Sequence, residues 1–312
     1  MKKHLIDLLI CPSCLPGEYP FVADIGRERN GDIENGTLNC PHCGARFPII
    51  EGVALLDPLA TDSRQSANKY ETEEVVSSYL WSHFGELIAD EQASQAYSTW
   101  AGLMRPQAGV ALDAGGAVGR FTFEMSNRCD FAVGIDTSQA FIRAARHLMR
   151  ERSMVVPLKD EGLLRREVTI RLPGDWRSDR VEFIVANALA LPFRRKSIAL
   201  YSSLNLLDKV PSPIRHLREM NRVTRDTKAQ FVLSDPFSWS TEAATVEEWL
   251  GGKVDGPFAG KGLANVMALL ADDRGELAPV WQLDEPGSVW WKIRTHSNHF
   301  ELIRSCFVHA SR

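Results

Sequence analysis

Residues 109–119 read GVALDAGGAVG, a short apolar run that ends in Asp113 and continues into a loop with three glycines. An apolar run of this length predicts a buried strand, and glycines let the backbone turn tightly and approach a ligand closely. Residues 118–128 then predict a helix, whose positive N-terminus favours a bound anion or polar ligand. The stretch therefore predicts a strand, a ligand-binding loop and a helix, with an ordinary strand-to-helix turn as the alternative.

Strands and helices continue to alternate on the C-terminal side of this stretch. Residues 138–152 and 212–223 have the apolar spacing of helices, and five apolar runs predict strands at residues 109–115, 131–136, 181–188, 197–207 and 229–235. Such alternation is typical of an α/β fold, so we expect a Rossmann-like, mostly parallel sheet with helices on both faces.

Three segments fit the alternation less well. Residues 153–180 predict an insertion with a hairpin within REVTIRLPGDW at 166–176, and the last 35 residues predict one or two further strands. Residues 71–104 predict a helical cap, in which the aromatic residues around Trp81, His83 and Phe84 indicate core packing or, alternatively, a lid over a ligand pocket.

Two C-x-x-C pairs precede this region, after a segment (residues 4–14, HLIDLLICPSC) that predicts a short amphipathic helix. Four thiolates at this spacing can surround one zinc ion tetrahedrally, whereas redox-active pairs are the alternative interpretation. Four protein ligands leave no open position for substrate or water, so the zinc is expected to be structural. The predicted ligands are Cys11, Cys14, Cys40 and Cys43. The remaining cysteines, Cys129 and Cys306, are expected to be buried reduced thiols.

Composition limits the function. The 312 residues include 36 Lys+Arg against 40 Asp+Glu, giving a formal net charge of −4, and 44% are hydrophobic, which excludes a disordered or collagen-like chain. An acidic balance argues against a protein that coats nucleic acid or an anionic membrane. Because no apolar run reaches the roughly 18 residues of a transmembrane helix, we expect a cytoplasmic protein without a membrane partner.

The ends of the first two predicted strands indicate a nucleoside site. Asp136 ends the second strand, where an acid typically binds a ribose diol, although a role near a helix N-cap with Ser138 is the alternative. Two cofactors compete, a dinucleotide and S-adenosylmethionine (SAM). The dinucleotide pattern requires G-x-G-x-x-G, whereas here an acid stands two residues before a Gly-Gly pair.

This arrangement resembles motif I of the class I SAM-dependent methyltransferases. Counterparts of the later motifs follow in order, at Asp136, at Asn187-Ala188 where an aspartate usually contacts adenine, and at residues 205–210 after the fourth strand. The resemblance implies a cofactor site made of Asp113, Gly115, Gly116, Gly119, Asp136, Asn187 and Ala188. It also implies that Asn205 and Asp208 lie nearest the methyl group, with Asp208 as a candidate base or, alternatively, a helix-start acid.

Two narrower resemblances concern the ends of the chain. LDAGGAVGRFTFEM, SLNLLDKVPSP and the WLGG at 249–252 look like the C-terminal methyltransferase domain of ovothiol-synthesis enzymes, which implies an imidazole or thiol acceptor of the mercaptohistidine type. LLICPSC and FPIIEGVALLDP resemble the small zinc-ribbon activator subunit of tRNA and protein methyltransferases. In that family an iron-dependent synthase usually precedes this domain, whereas here the segment before it resembles the ribbon.

We therefore expect a zinc-ribbon domain at residues 1–58, a linker at 59–70 and a SAM-dependent methyltransferase domain at 71–312. The expected substrate is a small molecule. The alternatives are an RNA base methyltransferase, in which the arginine-rich stretch 165–180 faces phosphates, and a degenerate SAM-binding scaffold whose ribbon docks a protein partner.

Several side chains have more than one candidate role. His83, His296 and His299 are candidate site histidines, and the last two are spaced for a metal but lack an evident third ligand. Four tryptophans are candidates for a pocket wall, although core packing is the more common role: Trp239, Trp249, Trp290 and Trp291.

Overall fold

The computed structural model describes residues 1–59 and 69–312. The predicted linker falls mainly on residues 60–68, which lie outside the described residues. On its C-terminal side, Lys69–Glu71 form one turn of 3₁₀ helix. No helix among the described residues has the length and apolar character needed to cross a membrane.

The N-terminal part is a small antiparallel sheet. Its strands pair in chain order and are β1 (Val22–Arg29), β2 (Asp32–Asn39), β3 (Arg46–Ile50) and β4 (Val53–Ala54). The helix expected before the first cysteine pair is a six-residue 3₁₀ helix, Lys3–Leu8. We call residues 1–59 the ribbon.

Strands and helices alternate after the ribbon as the sequence predicts. The helices are α1 (Glu73–Phe84), α2 (Ala96–Leu103), α3 (Arg120–Met125), α4 (Gln139–Glu151), α5 (Pro213–Val223) and α6 (Gly262–Ala271). The strands are β5 (Val110–Ala114), β6 (Phe131–Asp136), β7 (Ser153–Lys159), β8 (Arg165–Arg171), β9 (Val181–Val185), β10 (Ile198–Leu204), β11 (Gln230–Asp235), β12 (Gln282–Leu283), β13 (Gly287–His296) and β14 (His299–Ser311). Side-chain caps start two of the helices: Thr72 accepts from the Val75 amide at 3.4 Å, and Ser138 accepts from the Phe141 amide at 3.1 Å.

The main sheet has the order β12-β14-β11-β10-β5-β6-β9, and β13 pairs with β14. The five strands from β11 to β9 are parallel, whereas β14 runs antiparallel to β11. The strand order reverses between β5 and β10, and ligands of open α/β sheets bind beyond the strand ends at such a point. The expected Rossmann-like, mostly parallel sheet is therefore confirmed.

The prediction that the whole hairpin lies within residues 166–176 is wrong. The hairpin is formed by β7 and β8, with its turn at residues 160–164, so β8 is the second strand and not the first. Gly162 has φ +55° in that turn, a conformation that glycine adopts readily. The Pro173-Gly174 pair follows the end of β8.

The ribbon packs directly on the main sheet. Leu5, Leu9, Ile33 and Leu56 are fully buried in one apolar core with the side chains of β6 and β9 that point to the same face. The opposite face of the sheet is covered by a second core, to which α1–α4 contribute. The Leu56 amide also donates to the Val185 carbonyl at 2.8 Å, at the end of β9. The ribbon thus covers a sheet face that helices alone were expected to cover.

Candidate active site and metal centre

A cavity of about 280 Å³ lies beyond the C-terminal ends of β5, β6, β9 and β10. This is the strand-order reversal described above, where a ligand site is expected. Its volume is at the lower end of the roughly 300–1,000 Å³ of small-molecule pockets. The residues used below that line it are Leu59, Tyr70, Tyr79, His83, Tyr97, Gly115, Ala117, Asp136, Phe141, Asn187, Ala188, Asn205, Lys209 and Trp291.

The glycine loop after β5 forms one wall of this cavity through Gly115 and Ala117. Gly115 has φ +72°, and a Cβ atom there would lie 2.9 Å from the Leu206 side chain. The Gly115 and Gly116 amides both donate to the Ile135 carbonyl at 2.9 Å, which holds the loop against the end of β6. Only glycine combines this backbone conformation with an uncrowded wall.

Asp136 lines the same wall and also fixes the loop. One carboxylate oxygen accepts from the Ala117 amide at 3.1 Å, and the other accepts from the Ser138 amide at 2.9 Å. Burial raises the pKa of Asp136 to about 6, although these amides favour the charged form. A carboxylate has about four acceptor positions, so two backbone bonds leave capacity for hydroxyl donors in the cavity.

Three other predicted cofactor residues lie behind the wall. Asp113 is buried outside the cavity and accepts from Ser202 at 2.7 Å and Thr122 at 2.8 Å. Burial raises the pKa of Asp113 to about 6. Gly116 and Gly119 do not line the cavity either, and a Cβ atom on Gly119 would lie 2.6 Å from the Phe183 ring. These three residues therefore lie behind the cavity wall, and their part in cofactor binding stays a prediction.

Asn187 and Ala188 follow β9 and line the cavity as expected. The Asn187 side-chain oxygen accepts from the Leu189 amide at 2.9 Å, and its nitrogen donates to Asp57 of the ribbon at 3.3 Å. Leu59, the last described ribbon residue, also lines the cavity. The ribbon therefore reaches the site itself.

The two residues that were predicted to lie nearest the methyl group occupy different positions. Asn205 lines the cavity with a left-handed backbone (φ +55°), and its Oδ1 atom is buried without a hydrogen-bond partner in the described part of the chain. Asp208 does not line the cavity. Its buried carboxylate instead accepts from the Ser238 amide at 2.7 Å and from Lys209 at 3.1 Å. The turn after β10 thus directs the Asp208 side chain toward Ser238, and its role as a base stays a prediction.

The same cavity is lined by a set of rings that we call the aromatic wall. Neighbouring rings are close, with centroid distances of 4.7 Å for Tyr79–Phe141 and 6.1 Å for Tyr79–Trp291. Motif reading missed most of the wall, because its members come from five separate segments whose side chains meet only in the folded chain. They are Tyr70, Tyr79, His83, Tyr97, Phe141 and Trp291.

His83 and Tyr97 are paired within the aromatic wall. The Tyr97 hydroxyl lies 2.5 Å from His83 Nε2, and both residues are buried. His83 Nδ1 has no hydrogen-bond partner among residues 1–59 and 69–312. Burial, reinforced by Arg120, lowers the pKa of His83 well below 6.5, and burial raises the pKa of Tyr97 well above 10. Both side chains are therefore neutral at neutral pH.

The other candidate side chains lie elsewhere. His296 and His299 stack at the tip of the β13–β14 hairpin with ring centroids 5.7 Å apart. Among the described residues, no acid, cysteine or third histidine completes a metal site with them. Of the four tryptophans only Trp291 lines the cavity, and Trp290 is 53% exposed. Cys129 is buried as expected, whereas Cys306 is only half-buried because the outer strands β13 and β14 leave it partly accessible.

The arginine-rich stretch 165–180 does not form a uniformly basic face. Arg166 pairs with Asp90 at 3.4 Å, and Arg177 pairs with Asp179 at 3.2 Å. The 880 Å³ cleft beside Arg166 and Arg171 is also lined by three acids, Asp90, Glu91 and Asp160. These charges largely compensate one another.

The four ribbon cysteines form a second candidate centre. Their sulfur atoms all lie within 4.8 Å of one another, and the Cys11–Cys43 and Cys14–Cys40 separations are both 3.7 Å. A zinc tetrahedron with Zn–S bonds of about 2.3 Å requires sulfur separations of about 3.8 Å. The thiols therefore fit one zinc ion with no position left for a fifth group.

Comparison with known proteins gives a family match for each of the two parts of the chain. The family described as "Methyltransferase domain" matches residues 112–229, and "Trm112p-like protein" matches residues 2–52. No curated protein matches.

Three similar solved structures are all distant in sequence. One, "Conversion of a Disulfide Bond into a Thioacetal Group during Echinomycin Biosynthesis", is 15% identical, with a TM-score of 0.45 over 70% of this chain and 81% of that chain. A SAM-dependent methyltransferase from Methanosarcina mazei is 20% identical, with a TM-score of 0.41 over 65% and 92%. Haemonchus contortus phosphoethanolamine N-methyltransferase 2 with SAM is 12% identical, with a TM-score of 0.41 over 61% and 39%. Such distant likenesses say nothing about the acceptor.

The methyltransferase match covers the glycine loop, both strand-end acids and the strands that carry the cavity. The chain is therefore a SAM-dependent methyltransferase, and its cofactors are SAM and a structural zinc ion.

Proposed function

We propose that this SAM-dependent methyltransferase methylates a small planar acceptor, an imidazole or thiol of the mercaptohistidine type, within the 280 Å³ cavity. The observation that carries the proposal is that the glycine loop, Asp136 and the aromatic wall line one cavity. A cavity of this volume leaves room for no more than a small acceptor beside a nucleoside-type donor.

On the donor side, we assign Asp136 to the ribose hydroxyls, because its carboxylate keeps acceptor capacity beyond the two amides that it already binds. Gly115 and Ala117 provide a close backbone surface, and Asn187 and Ala188 are the residues for the adenine ring. We assign Asp113, Gly116 and Gly119 to holding the loop from behind, since the first is bonded to Ser202 and Thr122 and the glycines allow close packing.

When bound, SAM supplies an electrophilic methyl group on a sulfonium, so the protein's task is to align the acceptor and exclude water. The aromatic wall serves both purposes, because flat apolar rings bind a planar acceptor and remove water from the cavity. Asn205 is the polar residue that we assign nearest the acceptor, since its Oδ1 atom is buried and unpartnered in the described chain. Asp208 is not assigned a direct role.

The ribbon is proposed to support this site as part of one fold. It shares the core under β6 and β9, and its Asp57 accepts from the Asn187 side chain. Its grouped, unoxidised cysteines fit a reducing compartment, and we place the reaction in the cytoplasm. An RNA acceptor is not favoured, because Arg166 and Arg177 pair with acids and three acids line the cleft beside Arg166 and Arg171.

The test is methyl transfer from labelled SAM into a host extract that is separated into small metabolites, RNA and protein. Label in small molecules, and transfer to imidazole-thiols with purified enzyme, would support the proposal. Label confined to RNA or protein would overturn it. Asp136→Ala should abolish the label in every fraction, whereas exposed Asp255→Ala serves as the matched control.

A further inference from the structure

We propose that His83 hydrogen-bonds the methyl acceptor through Nδ1, with Tyr97 holding its ring, and that this pair selects a small neutral heterocycle such as an imidazole. The inference rests on the proposed function, because the acceptor is placed in the same cavity. It adds a specific acceptor-binding residue and the chemical form of the acceptor.

Two unpartnered polar atoms belong to residues of one cavity. His83 Nδ1 and Asn205 Oδ1 are both buried, and neither has a hydrogen-bond partner in the part of the chain that the structure describes. Both residues line the same cavity. Because nearly all buried polar groups in native proteins are paired, two unpaired ones around one cavity point to a ligand that pairs them.

The His83 ring is held in one orientation by Tyr97. One ring nitrogen, Nε2, is engaged by the Tyr97 hydroxyl at 2.5 Å, and the ring centroids are 4.2 Å apart. The backbone carbonyl of His83 accepts from Arg120 Nη1 at 3.0 Å, which fixes the main chain at the same point. Nδ1 is therefore held in position and left free for a ligand.

The lack of charge on the aromatic wall favours a neutral acceptor. The aromatic wall has no formally charged side chain, since His83 is kept neutral by burial and by the neighbouring Arg120. A charged ring bound against it would lose hydration without gaining a counter-ion. A neutral imidazole instead offers one ring N–H, which matches the acceptor Nδ1 of His83, and one lone pair that stays free to react.

Methyl transfer is a nucleophilic displacement by the imidazole ring. The ring nitrogen with the lone pair forms the new C–N bond while the S–C bond breaks, and sulfur keeps that electron pair. The ring becomes cationic and releases the N–H proton of its other nitrogen to water, which restores a neutral product. By accepting that N–H bond, His83 determines which of the two nitrogens faces the methyl group.

The test uses imidazole as the probe and the full-length zinc-loaded protein saturated with S-adenosylhomocysteine. Binding is followed by calorimetry and by the histidine ring ¹⁵N shifts, so no turnover is needed. We expect His83→Gln to weaken imidazole binding about tenfold and Tyr97→Phe about threefold, the range of single neutral hydrogen bonds. Affinity for S-adenosylhomocysteine should be unchanged in Tyr97→Phe, whereas the melting temperature should fall slightly, because His83 Nε2 loses its buried partner.

Tyr201→Phe is the matched control, since the Tyr201 hydroxyl is also buried and unpartnered among the described residues but lies away from the cavity. It should bind imidazole as the unaltered protein does. The inference is overturned if imidazole does not bind, or if folded His83→Gln and Tyr97→Phe bind it with unchanged affinity.

A separate assay distinguishes this inference from the proposed function. With 4-methylimidazole and labelled SAM, the unaltered enzyme should give one N-methyl regioisomer and Tyr97→Phe a mixture. Loss of imidazole affinity in His83→Gln without any methyl transfer to small molecules would overturn the proposed function and leave the binding role of His83 supported. Methyl transfer with a regioisomer ratio that Tyr97→Phe leaves unchanged would count against the role of the His83–Tyr97 pair alone.

Discussion

The guanidinium of Arg146 lies 2.9 Å from Glu182, and the same group lies 2.9 Å from Asp32 of the ribbon. Arg146 and Glu182 are both buried, on α4 and β9, and the ribbon supplies the third member of the network. The Lys2 amide also donates to Glu182. A network that joins ribbon and main sheet in this way makes the ribbon part of one cooperative unit.

Removing one member of this network should destabilise the whole chain. We expect Arg146→Met to lower the free energy of unfolding by about 3–5 kcal/mol, because Glu182 is then left buried without its partner. Urea unfolding followed by both tryptophan fluorescence and zinc release measures this. Arg143→Met, an exposed position on the same helix, is the control and should change stability by less than about 0.5 kcal/mol. Two separate transitions in the unaltered protein would contradict a single unit.

Acid should weaken this network. Burial alone would raise the pKa of Glu182, but Arg146, the amino terminus and Lys2 outweigh it and hold that pKa below 4.5. A carboxylate with a lowered pKa in the folded state adds stability above its unfolded pKa, and that stability is lost as pH falls through the folded value. Urea midpoints should therefore fall below about pH 4.5, and Glu182→Gln should reduce this dependence.

SAM affinity should depend on pH through Asp136. Burial raises the pKa of Asp136 to about 6, so lowering the pH through 6 protonates it and removes acceptor capacity for the Ala117 amide and for a ribose hydroxyl. Calorimetric titration of SAM between pH 5 and 8 should show tighter binding at the high end. Asp136→Asn should bind weakly at every pH, and a variant that retains the full pH dependence would exclude Asp136 as its source.

Zinc removal should affect the distant cavity. Because the ribbon shares a core with β6 and β9, a chelator should lower the melting temperature and SAM affinity together. Cys43→Ser should reproduce both effects, whereas Cys306→Ser, at a half-buried cysteine outside the centre, should not. Metal analysis of the folded protein should give about one zinc per chain, and full SAM binding by metal-free protein would argue against the coupling.

The glycine loop offers a test of backbone strain. Gly119 has φ +90°, and an added Cβ atom would lie 2.6 Å from the Phe183 ring. We expect Gly119→Ala to destabilise the fold by about 2–4 kcal/mol, from the left-handed backbone and the overpacked core together. Gly174→Ala is the matched control, because no atom lies within 4 Å of its added Cβ and its φ is not positive. Equal thermal stability of the two variants would contradict the argument.

The alternation of apolar strands and helices predicted the parallel sheet, and cysteine spacing predicted the metal centre, because both depend on local pattern. The glycine loop and Asp136 were also found from sequence, since each stands next to the end of a predicted strand. Local pattern could not separate residues on the cavity surface from those behind it. Asp113 and Asp208 follow the expected motifs, yet their side chains turn inward.

Sequence by itself determined which segments are strands, which cysteines group together and where the glycine loop lies. Tertiary structure alone decided the rest: that the ribbon shares a core with β6 and β9, that the hairpin is β7–β8, and that six rings from five segments line one cavity. The reason is physical. Strand and knuckle patterns are set by neighbours along the chain, whereas the pairing of His83 with Tyr97 depends on how α1 and α2 pack, which local sequence does not encode.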